Sequence, residues 1–68
     1  MSLHEDSQRR HLHAVRNALN TIGMNAEVMK LSLTKADYGS ARSAADIIIE
    51  QCSRSSDELE KLFEEVGL

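Results

Sequence analysis

Apolar residues in this chain return at alternating steps of three and four along two long stretches, and this repeat limits the folds open to it. The first runs Leu12, Val15, Leu19, Ile22, Ala26, Met29 and Leu33. The second runs Ala41, Ala45, Ile48, Cys52, Ser55, Leu59, Leu62 and Val66. A seven-residue repeat of this kind keeps one stripe on one side of an α-helix and asks for a partner helix against it. The chain has no Pro, no Trp and only one Tyr and one Phe, so few aromatic or β-branched clusters favour a sheet. The first seam alone implies a helix roughly 33 Å long.

These signals predict an all-α chain with one helix over about 6–34 and a second over about 38–66. Asp6 or Ser7 is expected to cap the first helix, with Glu5–Arg9 and Asp6–Arg10 pairs supporting it. Asp37 is expected to cap the second, and Gly67 to end it. Arg42–Asp46, Glu50–Arg54, Arg54–Glu58 and Asp57–Lys61 stand four apart on its outward faces. Thr34-Lys35-Ala36 is a short link, which makes the helices antiparallel neighbours within one domain spanning residues 1–68.

Two such helices cannot cover both seams. Ile47, Ile48 and Ile49 spread around the second helix, and Ile49, Ser56 and Phe63 form a further column seven residues apart. That width belongs in a four-helix bundle, and a twofold homodimer of hairpins is the simplest way to supply one. Sixty-eight residues are too few to bury a large core alone. Cys52 and Ser55 are weak core residues, so the expected bundle is modestly stable; Cys52 reads as a small buried hydrophobe.

The net charge of −3 argues against nucleic acid as a partner. A single cysteine excludes an internal disulfide and suits a reducing cytoplasm. No apolar run is long enough to span a bilayer, and no signal-peptide pattern opens the chain, so no membrane contact by this segment is expected. His4, His11 and His13 do not make a metal site: residues two apart on a helix diverge, and nothing at helical spacing completes a ligand set. No cofactor is expected either.

The candidate functional stretch is His13-Ala14-Val15-Arg16-Asn17-Ala18-Leu19-Asn20. With Leu12 and Val15 in the seam, His13 points sideways to solvent, and Asn17, Asn20 and Met24 follow at steps of four, three and four on its face. From Ala14 to Ala26 the only charged residue is Arg16. An uncharged strip around a histidine reads as a contact surface; the plainer alternative is a surface histidine on a polar bundle face.

His13, Val15, Arg16, Asn17, Leu19, Asn20 and Ile22 resemble the phosphoacceptor box of bacterial sensor histidine kinases, and Ala26-Glu27-Val28 continues it in phase. The segment from Ala41 to Gln51 resembles that family's partner helix, so the likeness to its dimerisation and histidine phosphotransfer domain covers nearly the whole chain. The resemblance implies two-component signalling. His13 would carry phosphate on an imidazole nitrogen and exchange it with a response-regulator receiver domain. Asn17 matches the position that helps orient water for dephosphorylation. Arg16, Asn20 and Met24 would belong to the docking face.

Two departures qualify that implication. Ala14 stands where the family carries Glu or Asp, and loss of a general base removes roughly 10²–10⁴-fold in rate. Gly23, Gly39 and Gly67 are isolated, so no Gly-rich nucleotide loop is present. The chain by itself is therefore not expected to be a kinase; an ATP-binding domain would come from the rest of a longer kinase or from a separate partner. Ala18, where proline is common, removes a source of helix kinking. The other function class left open is a dimerisation or scaffold hairpin without phosphotransfer.

Overall fold

A computed structural model describes the backbone of residues 3–67 and the side chains of 6–67. Two helices, α1 (Leu3–Thr34) and α2 (Tyr38–Val66), fold back on one another as an antiparallel hairpin about 50 Å long. The expected helix 2 agrees with the observed one, but α1 starts earlier. Asp6 and Ser7 therefore lie inside α1 and do not cap it. The Glu5–Arg9 pair and the side chain of His4 fall outside the described side chains.

The turn is Lys35-Ala36-Asp37, and α1 keeps Thr34, the end that the expected bounds gave it. Ala36 takes a left-handed conformation at φ 58°. Its amide donates to the Leu33 carbonyl at 3.1 Å, and the Asp37 amide donates to Ser32 at 2.8 Å. This is the Schellman arrangement, which gives orphan carbonyls at a helix end their partners, here with alanine where glycine is usual. Asp37 then caps α2 as expected, accepting from the Ser40 amide at 3.1 Å and the Ser40 hydroxyl at 2.7 Å. Those bonds hold the Asp37 carboxyl below its ordinary value, with Lys35 helping against some desolvation. Gly67, at φ 76°, closes α2 by donating to Glu64 and Phe63.

The contact between the helices is where the structure departs most from the sequence reading. On α1 the covered positions include Ser7, His11, Ala14, Ala18, Thr21, Asn25 and Ser32, a stripe one residue earlier than the Leu12–Leu33 seam. On α2 they include Ala41, Ala44, Ile48, Gln51, Ser55, Glu58, Leu62 and Glu65. Among the described residues only Ala18, Ala41, Ala44, Ser32 and Ser55 are buried, and no large side chain is fully enclosed. Small residues at this line let the two backbones approach closely. The polar ones are satisfied locally: Ser55 donates to the Gln51 carbonyl at 2.8 Å and Asn25 to Thr21 at 2.9 Å.

The large apolar residues consequently stand beside the contact. Leu12, Leu19 and Leu33 are each more than half exposed, while Val15, Ile22 and Met29 are partly covered. On α2 Ile49, Phe63 and Val66 are exposed, with Ala45, Ile48 and Leu59 partly covered. Cys52, expected in the core, is exposed here because it too lies on this outer stripe. Ile47 and Ile49 emerge on opposite sides of the half-buried Ile48, as three consecutive isoleucines on a helix must. Of the surface pairs, Arg54 takes Glu50 at 3.0 Å, while Glu58 turns to Lys61 at 3.9 Å and to His11.

Both outer stripes are displaced from the contact in the same rotational sense. In antiparallel helices that places them on one flank of the hairpin, as a single apolar face. The groove described below joins the opposite edges of the two helices, in agreement with that geometry. Among the described residues, no helix is long and apolar enough to cross a membrane.

Candidate functional site

Helical spacing puts His13 about 130° around α1 from the apolar stripe of Leu12, Val15 and Leu19, so its ring stands on the outer back of the helix, away from that stripe. The ring is exposed, as the sequence predicts. Arg16, Asn17, Asn20 and Met24 are exposed as well, Met24 at 69%. His13, Arg16 and Asn20 make no side-chain hydrogen bond or ion pair among the described residues. The strip is thus an open surface, with donors and an imidazole that no neighbour holds in place.

Between the helices, on the flank opposite the apolar stripe, runs an open groove of about 440 Å³. Ala14 and Asn17 form its α1 wall, and Gln51, Arg54, Asp57, Glu58 and Lys61 its α2 wall. The structure therefore separates the predicted residues into two sets. Asn17 turns toward the groove and the α2 charges; His13 and Asn20 lie further round on the outer surface. Ala14 is half-covered at the groove edge and brings no titratable group to it.

Sequence reasoning passed over His11, which is the histidine with partners. Its side chain is only 17% exposed and lies on the contact line near the open end of the hairpin. Nδ1 is 2.5 Å from Glu58 Oε2, and Nε2 is 3.4 Å from Glu65 Oε1. Ser7 donates its hydroxyl to Glu65 from one turn earlier. The bond from His11 holds the Glu58 carboxyl below its ordinary value, against some desolvation and with help from Lys61. The signal was present: Ser7, His11, Ala14 and Ala18 share one heptad stripe, and Glu58 and Glu65 stand seven apart on the other helix.

Chemically, this arrangement offers an exposed imidazole as a nucleophile, amide and guanidinium donors near it, and no adjacent base. The two His11 carboxylates approach different ring nitrogens, so they do not converge on one point as metal ligands do; among the described residues no cluster of three metal-binding side chains exists. No protein-family model, curated protein or solved structure matches this chain.

Proposed function

We propose that the hairpin is half of a homodimeric four-helix bundle of histidine-kinase phosphotransfer type, in which His13 exchanges phosphate with a response-regulator receiver domain or docks one. The observation that carries this reading is segregation. The apolar stripe of Leu12, Leu19, Leu33, Ile49 and Phe63 lies on one flank, and the His13 strip lies away from it, on the outer back of α1. A second hairpin on the stripe leaves His13 facing outward, open to a docking protein.

In the transfer, an imidazole nitrogen of His13 attacks phosphorus, the bond to the donor's leaving oxygen breaks, and that oxygen keeps the electron pair. The return step is attack by a receiver aspartate, with cleavage of the N–P bond. Asn17 lines the groove, and in this reading it would hold water there when phosphate is removed from the regulator. Arg16 and Asn20 offer donors to phosphate or to the partner's backbone. Because Ala14 supplies no base, the phosphoryl group would reach His13 from a separate kinase domain or from a phosphorylated receiver.

The same Ala14 favours a second reading, a scaffold hairpin that dimerises without chemistry. One experiment separates the two. The chain is mixed with a panel of phosphorylated receiver domains and donor kinases, and acid-labile phosphate is sought, with His13→Gln as control. Label lost in His13→Gln carries the transfer reading. Faster loss of regulator phosphate without label places the chain as a docking or phosphatase module. Neither label nor binding across the panel leaves the scaffold.

A further inference from the structure

We draw no further inference here: the strongest candidate, the exposed apolar patch of Val28 and Ile47 in the open groove beside the turn, with Met24 and Leu31 next to it on α1, carries nothing because nothing in the structure shows what covers it.

Discussion

Along α1 the residues that meet α2 are Ala14, Ala18, Thr21, Asn25 and Ser32, whereas one position further on stand Val15, Leu19, Ile22, Ala26, Met29 and Leu33. The first stripe is small and partly polar; the second holds most of the apolar area of the helix. Small residues allow close approach of backbones but take little apolar surface from water, and stabilisation scales with that surface at about 25 cal/mol per Å². The stripe that closes the hairpin is thus the weaker source of cohesion. The stronger one stays half exposed in a single chain, with Leu19 at 58% and Ile49 at 68%. The contrast says that closing the hairpin and stabilising it are tasks of different faces.

The sharpest way to break the contrast is to charge the outer stripe. In the proposed dimer, Leu19→Asp with Phe63→Asp should weaken self-association by roughly 10⁵-fold or more. The pair of chains would bury four carboxylates, and each one buried without a partner costs about 2 kcal/mol or more. Sedimentation equilibrium measures it directly. A wild-type chain that stays monomeric, with unfolding independent of concentration, would instead remove the stripe's role as a dimer surface.

A change on the contact line should act otherwise. Ala44 is 2% exposed, and Ala44→Leu forces the helices apart, at a cost of about 1–3 kcal/mol. In a chain of this size each kcal/mol lowers the unfolding midpoint by about 4–8 °C. The substitution leaves the outer stripe's own side chains untouched. Calorimetry at two concentrations therefore distinguishes the faces: Ala44→Leu keeps the concentration dependence that the charged stripe abolishes.

The helices, their antiparallel link and both caps of α2 were legible because each rests on local chemistry: a heptad repeat, Asp37 before Ser40, and Gly67 after Val66. The register of the contact was not. Two adjacent heptad stripes obey the same spacing, and hydrophobicity favours the one with leucines, while the contact seen here uses the one with alanines and serines. Choosing the former pushed His11 out of view and Cys52 into the core. Exposure of His13, Arg16, Asn17, Asn20 and Met24 survives the shift, because they lie far enough round α1 that one position does not bury them. Ala36 gave no signal, since nothing about alanine marks a left-handed helix end.

That residue offers a milder change that strengthens the hairpin without touching either stripe. An L-residue in the left-handed region costs about 1–2 kcal/mol, part of which glycine returns as unfolded-state entropy. Ala36→Gly should therefore stabilise the fold by about 0.5–1 kcal/mol. The gain should appear as a higher unfolding midpoint in both the wild-type background and the charged-stripe variant. A gain confined to the associating protein would mean that the turn is shaped by the partner hairpin and not by its own Schellman bonds.

The smallest expected effect compares the two ends of the molecule in acid. Asp37 at the turn and Glu58 at the open end are both held below their ordinary values, the first by Ser40 and the second by His11. A lowered folded-state value means the folded form binds its proton less readily than the unfolded chain does. The stability each contributes is then complete above the ordinary carboxylate range, about pH 4, and declines as pH falls through the lowered value. Asp37 is exposed and Glu58 only partly covered, so each decline is shallow. Ser40→Ala should return Asp37 toward its ordinary value and leave Glu58 alone, whereas His11→Gln should do the reverse. Carboxyl carbon shifts followed by NMR from pH 2 to 6 read the two separately. Movement of both carboxylates in either variant would show that the ends communicate through the contact line, which a seam of small, locally satisfied residues should not allow.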